Sequence, residues 1–339
     1  MYKCYLVIGC LVISCFVQAN PFSIPQDTGW SGFFMAGGGY TNYKSNYYTG
    51  PDGEEQVVNI SGKPNSQGVF TPSFNVDIRY TFAESRTQLF LGSLIQDVVR
   101  FDYTQQLGIR QQIGNKGVIS GSFVFSAMPG EVWQDPYETN VERDDTDRKS
   151  HGGRLAWSDI LGSKVNLTYT YRNIDVDKER SGHSLVGKTI KGNSITENEI
   201  SKLDRNGTIS QSEISYYWTL SNQKTLTPAF IYKIADIDGV AEKYHSVGIK
   251  MTYSYTTQHW SIVQNLYVSK SDFDSENPLY SRKADAKDFG ISALLFKHKL
   301  FGYSALSGFI SGVYAKSNSD INFRDAELFS ISTGFLYHF

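Results

Sequence analysis

Over residues 70–82, apolar and polar side chains alternate without a break. Phe70, Pro72, Phe74, Val76, Ile78, Tyr80 and Phe82 stand against Thr71, Ser73, Asn75, Asp77, Arg79 and Thr81. Successive side chains of a strand point to opposite faces, so this pattern predicts a strand with one greasy and one polar face. The pattern recurs over 165–172, 213–220, 226–234 and 246–255. A strand that crosses a bilayer on a tilted path needs about ten residues, and several of these segments reach that length. Repetition at that length separates a membrane barrel from a soluble sandwich.

The connections alternate between short and long, as they do in outer-membrane barrels. Short turns fall near 83–86, 113–117, 159–163, 221–224, 256–259 and 298–301. Longer polar stretches cover 44–69, 128–150, 178–207 and 271–283, with brief outer connections near 97–100, 236–241 and 317–321. The strands between them number about fourteen, with both termini on the periplasmic side. Weak alternation over 87–99 and 302–316 leaves twelve or sixteen open. Trp30, Trp157, Trp218 and Trp260 each fall near a predicted periplasmic turn or terminus. That is the place for a ring that wants an apolar body and a wet N–H. The chain closes on Phe329, Ile331, Phe335, Tyr337 and Phe339 in alternation. Phe335, Tyr337 and the terminal Phe339 resemble the signal read by the outer-membrane assembly machinery. The expected fold class is all-β, a transmembrane antiparallel up-and-down β-barrel.

Composition agrees. Aromatic residues make up 14% of the 339, with 22 Tyr and 21 Phe, too much for a solvated chain. The net charge of −2 gives no electrostatic case for nucleic acid. At the start, Lys3 precedes an apolar run over 5–17 that is too short for a spanning helix, and Val17-Gln18-Ala19 fits a cleavage site. Residues 1–19 therefore read as a Sec signal peptide and 20–339 as the barrel. A competing reading of Val12-Ile13-Ser14-Cys15 places a lipid on Cys15. Cys4, Cys10 and Cys15 all lie in the leader, so a cleaved chain would have no disulfide, thiolate metal site or cysteine nucleophile.

If the alternation holds, Arg79, Arg110, Arg154, Arg172, Lys233 and Lys250 point into the lumen against Asp77, Asp102 and Glu213. Charged walls focus the field and select among ions. The basic excess favours anionic or sugar-like solutes, while charges that pair across the interior would only fill a narrow barrel. In the 128–150 stretch, Trp133 and Tyr137 beside Asp135 could stack a sugar, or could anchor a packed loop. Asp204, Asn206, Gly207, Ile209 and Glu213 match part of an EF-hand loop, but position 1 would be Lys202, which cannot ligate a cation. Asp144, Asp145 and Asp147 form an acidic run that could bridge divalent cations with lipopolysaccharide. His183-Ser184 and His245-Ser246 place His beside Ser, and neighbours on a strand face opposite sides. No metal, cofactor or enzymatic activity is expected.

Gly29-Trp30-Ser31-Gly32, Gly130-Glu131-Val132-Trp133-Gln134-Asp135-Pro136-Tyr137, Leu203-Asp204-Arg205-Asn206-Gly207, and Phe273-Asp274 with Asn277-Pro278 together resemble an uncharacterised outer-membrane β-barrel family of Vibrio-like marine gammaproteobacteria, a domain of unknown function. The resemblance implies an integral outer-membrane barrel and hands over no catalytic residue, ligand or activity. The function expected from the residues is a narrow channel for passive diffusion of small hydrophilic solutes. Its other partners are the assembly machinery, lipopolysaccharide and phospholipid. The alternatives are a non-conducting surface or adhesion barrel acting through its loops, and a membrane hydrolase.

Overall fold

In the computed structural model, residues 22–50, 56–97, 102–127 and 130–339 are described. The expected signal peptide and the brief connection near 97–100 lie largely outside them. The chain runs through β1 (Gly29–Lys44), β2 (Gln67–Phe82), β3 (Thr87–Asp97), β4 (Asp102–Gln112), β5 (Val118–Phe125), β6 (Asp145–Ser158) and β7 (Val165–Val176). It continues through β8, bent at Tyr217 into Gly207–Tyr216 and Trp218–Ser221, and β9 (Lys224–Ile237). Then come β10 (Tyr244–Thr256), β11 (Trp260–Phe273), β12 (Ala286–Lys297), β13 (Leu306–Ser319) and β14 (Ala326–His338). Each pairs antiparallel with its chain neighbours, and β14 returns to pair with β1, so fourteen strands close into a barrel. A short strand, Gly130–Trp133, extends the outer edge beside β6.

Closure follows from the solvent. Lipid offers no hydrogen bonds, so an open edge would leave a row of backbone groups unpaired. The seam register runs from Phe33 opposite His338 to Lys44 opposite Glu327. It is finished by Gly32 and Phe339, which exchange N–H···O bonds of 3.1 Å in both directions. Strands approach closely there. A Cβ on Gly37 would lie 2.2 Å from the Thr333 carbonyl oxygen, and one on Gly39 2.1 Å from that of Ile331. No larger residue fits either position without moving backbone.

The two faces divide as the alternation requires. Phe70, Leu107, Phe123, Leu155, Ile249, Ile310 and Phe335 lie on the outside, each more than half exposed to it. A belt of this kind would be an aggregation surface in water and is the solvated surface in hydrocarbon. Trp30, Trp157, Trp218 and Trp260 sit at the end of the barrel that carries the short turns, the start of β1 and the end of β14. There the Trp157 indole N–H donates to the Lys116 carbonyl (2.9 Å) and Lys297 Nζ lies 4.3 Å over the Trp260 ring. These rings mark the inner rim, so the long connections are at the outer mouth.

Candidate functional site

The lumen is built by the inward positions of each strand. Arg154 on β6 lies opposite Thr170 on β7, Thr170 opposite Gln211 on β8, and Gln211 opposite Lys233 on β9. These four share one row. Arg172 lies one inward position closer to the outer mouth, opposite Gly152 and Ile209. Arg148 lies nearer still, opposite Val176. Towards the inner rim come Glu213, opposite Thr168, and then Lys250, opposite Ala229. One arc of wall thus carries cations at successive heights. Among the described residues of β6 to β10, Glu213 is the inward carboxylate, and it holds Lys250 through bonds of 2.8 and 3.0 Å.

Arg172 is 2% exposed and donates to Ser150 Oγ (3.3 Å); Lys233 is buried as well. Arg154 reaches Thr170 Oγ1 at 3.4 Å. On a second arc, Arg79 grips Asp77 with both fork nitrogens at 2.7 and 3.1 Å, and Arg110 donates to Gln88 Oε1 (3.0 Å). Asp102 begins β4, and its side chain lies outside the described part of the structure. Apart from Asp102, the residues of the expected set lie at inward positions of their strands, and two of them pair with carboxylates of the set, Arg79 with Asp77 and Lys250 with Glu213.

The remaining arc carries one inward carboxylate among the described residues of β11 to β14, Asp288 on β12, which accepts from Ser269 Oγ (2.7 Å), and is otherwise neutral. Thr41, Ser311, Ser330 and Ser332 bond to one another across β1, β13 and β14. Below them, Met35, Leu294, Phe296 and Phe309 pack together inside the barrel. Strict alternation assigns the lumen to polar side chains, so this apolar patch corrects it. These side chains come from neighbouring strands of one arc, β12, β13 and β1, and packing against one another rewards apolar character as any core does. Beside the patch, the inner turn after β12 is pinned by His298, whose Nε2 meets Ser261 Oγ at 2.7 Å and whose Nδ1 meets Ser307 Oγ at 3.2 Å. Burial, and then His338, push the His298 imidazole pKa down. Ser261 and Ser307 are sealed from solvent, which makes this contact a strut.

Both ends of the lumen are occupied by chain. At the inner mouth, Arg86 donates to the Pro25 carbonyl (2.7 Å), the Ile24 carbonyl and Gln112 Oε1 (2.6 Å). Arg110 donates to the Phe22 carbonyl (3.1 Å), and the Ile24 N–H donates to Gln112 Oε1 (3.2 Å). Ile24 is buried. Phe22 meets the edge of Tyr217 at 5.4 Å, four strands around the ring from β4. Residues 22–28 thus cross a chord of the inner opening. Arg110 is a contact for this segment as well as a wall charge.

At the outer mouth the connections after β1, β5, β7, β9, β11 and β13 fold onto one another. Tyr47, Tyr137, Leu185, Ile200, Leu203, Leu279 and Phe323 are among the residues of a common apolar core. Tyr137 is central. Its ring stacks on Phe323 (5.6 Å, 15°), and its hydroxyl bonds to that of Tyr47 and accepts from Asn277 Nδ2 (3.1 Å). Asp135 accepts from the N–H groups of Tyr137 (3.0 Å), Gly182 (2.8 Å) and Ser184 (2.9 Å), which welds two loops. Arg143 covers the Trp133 ring at 4.3 Å. The sugar-stacking arrangement considered for Trp133, Asp135 and Tyr137 does not form, because both aromatic faces are already covered. These residues anchor the cap instead.

Two ion pairs stitch this cap. Arg324 makes two 2.7 Å bonds to Glu242 and lies 4.7 Å over Tyr47 and 4.9 Å over Phe273. Arg205 donates to Glu179 Oε2 (2.7 Å) and to the carbonyls of Trp133 (2.7 Å) and Gln134 (3.1 Å). Burial works to lower the Arg324 pKa, and the Glu242 carboxylate outweighs it. The 203–207 stretch is a turn into β8. Asp204 Oδ1 accepts from the Asn206 N–H (2.8 Å), and Ile209 and Glu213 follow on a strand, which is no helix–loop–helix cation site. His245 and Ser246 point to opposite faces of β10, outward and inward.

Burial pushes the Tyr137 phenol up to about 12 and the Tyr47 phenol well above its usual value. A group whose folded pKa is raised holds its stabilising contribution below the unfolded value and loses it as pH climbs through the folded one. The cap should therefore stay intact up to pH 10 and loosen towards pH 12, with Tyr137 contributing roughly 2–3 kcal/mol of that loss. Near-UV circular dichroism should lose its tyrosine signal over that interval while the far-UV strand signal persists. Simultaneous loss of both would place the transition in the barrel.

A closed antiparallel barrel with a lipid-facing apolar belt, an aromatic inner rim and a charged lumen defines a bacterial outer-membrane β-barrel protein. Residues 29–338 match the family described as protein of unknown function (DUF2860), and the chain belongs to it. No curated protein matches the sequence. Solved structures of similar shape include the loop-L8 deletion mutant of OmpT, an outer membrane protein of Vibrio cholerae (12% identity, 92% of this chain and 100% of that one, TM-score 0.41). The outer membrane channel DcaP of Acinetobacter baumannii is another (9% identity, 92% and 97%, TM-score 0.45). So is an anion-selective porin from Comamonas acidovorans (7% identity, 92% and 100%, TM-score 0.40).

Proposed function

We propose that this protein is a narrow, gated channel for passive diffusion of small hydrophilic solutes, with a preference for anions. The carrying observation is the ladder of Arg148, Arg172, Arg154, Lys233 and Lys250 down one arc of the lumen. A solute moving past it meets cationic side chains at successive heights, the lowest of them paired with Glu213, in a space where low dielectric strengthens the field. The outer cap and the segment over residues 22–28 make this the closed form. The segment is held largely by hydrogen bonds, and the cap by its apolar core together with two ion pairs, contacts that can change without dismantling the strands. No chemical step is assigned to it.

Export by the leader at 1–19 and delivery to the assembly machinery through Phe335, Tyr337 and Phe339 belong to the same reading. So does a source among Vibrio-like marine bacteria, which rests on the sequence motifs. The cap supports a second reading. Six connections sharing one apolar core make a firm outer surface, suited to a non-conducting barrel that acts through its loops.

Planar-bilayer recording separates the two. Conductance steps with anion preference are expected, and Arg172→Glu should lower the anion-to-cation permeability ratio on the order of three- to tenfold. A fully inserted protein that stays silent, also after the cap is loosened, would establish the surface role.

A further inference from the structure

Between the cap and the wall lies a cavity of about 100 Å³. Its lining includes Arg148, Arg205, Lys233, Arg324, Glu242 and Tyr244. Four cationic side chains thus face one carboxylate. Glu242 is engaged by Arg324, and Glu179, which holds Arg205, stands behind the lining. Among the side chains that line it, positive charge is in excess. Arg148 and Lys233 have contacts of their own, so the argument rests on the charge of the walls and not on an idle side chain. The hydroxyls of Ser45 and Ser317 also face the space and can donate.

We infer that this cavity is a binding site for a small oxyanion, of the size of phosphate, sulfate or a short-chain carboxylate. Size sets the class. An apolar cavity of about 150 Å³ takes a benzene ring, so this smaller space suits a compact anion. Chemistry sets the sign. A space whose lining carries this excess of cations is stabilised by a bound anion, and planar guanidinium groups match the oxygens of these anions in pairs. Position gives the use. The site is directly under the cap and above the row of Arg154 and Lys233, where an entering solute would be taken up and handed to the ladder. That use rests on the channel reading; the binding itself does not.

The experiment therefore measures binding at equilibrium, without conduction. The full-length protein in detergent is titrated with inorganic phosphate, sulfate and acetate by calorimetry, with chloride at matched ionic strength as control. Saturable binding of at least one of the three, absent with chloride, is expected. Lys233→Gln and Arg148→Gln should each weaken it tenfold or more, with unchanged heat-modifiable migration as the check that the barrel is folded. Lys188→Gln, on the loop surface, should leave it unchanged. The three anions separate a tetrahedral from a carboxylate ligand. No binding beyond chloride, or equal binding in both cavity variants, would overturn the site. A channel with normal conductance and no such binding would leave the channel reading standing and remove this one.

Discussion

Glu242→Ala is expected to open the outer mouth. The substitution leaves Arg324 buried among Tyr47 and Phe273 with its carboxylate partner gone. Stranding a buried charge costs about 3–5 kcal/mol, a large share of what a small packed layer of loops can supply. The strands are unaffected, because Glu242 lies in the connection after β9 and contributes no ladder bond. Trypsin should cut the connection over 177–206 at Lys188 or Lys191 much faster than in the parent, and mean conductance should rise several-fold. Glu242→Leu combined with Arg324→Met should keep resistance, since an apolar pair of similar volume can replace a buried ion pair. If Glu242→Ala alone remains resistant and its conductance unchanged, the ion pair does not hold the cap.

Removal of residues 22–27 should act from the other side. The segment contributes no strand, and β1 starts only at Gly29, so the barrel should insert and migrate as before. With the chord across the inner mouth gone, conductance should increase roughly two- to fivefold, in proportion to the area uncovered. Arg86→Gln offers a milder test, because it breaks the bonds to the Ile24 and Pro25 carbonyls and keeps the chain intact. It should raise the frequency of brief openings more than their size. An unchanged current in both would mean that the segment lies beside the solute path. If the cap is the tighter constriction, the deletion should show its full effect only together with Glu242→Ala.

The strands could be read from sequence because lipid makes one demand on every residue of the outer face. The alternation over 70–82 and over 226–234 survives intact in β2 and β9. Even the weakly alternating 87–99 and 302–316 stretches form β3 and β13, since their neighbours impose pairing. The cap could not be read in this way. Tyr47, Tyr137, Leu203, Leu279 and Phe323 come from five separate connections, and no local period announces that they meet. Trp133 and Tyr137 stood out as aromatic, but only neighbours distant in sequence decide whether such a ring meets solvent or another ring. The inward Leu294, Phe296 and Phe309 escaped for a related reason. Their strands have apolar residues on both faces, so parity alone does not say which face meets lipid. Residues 22–28 show no alternation, and their role depends on Arg86, Arg110 and Gln112, contributed by the ends of the β3 and β4 hairpin.

The pairing of Gly32 with Phe339 has a kinetic implication. β1 acquires its second neighbour only when β14 has arrived, so the ring stays open until that strand is in place. Until then the ordering entropy of nearly the whole polymer opposes closure, and two raw edges invite strangers. A product without the stretch from Glu327 to His338 would be left with β1 unzipped in hydrocarbon. Quality control at the membrane would then need to inspect a single place.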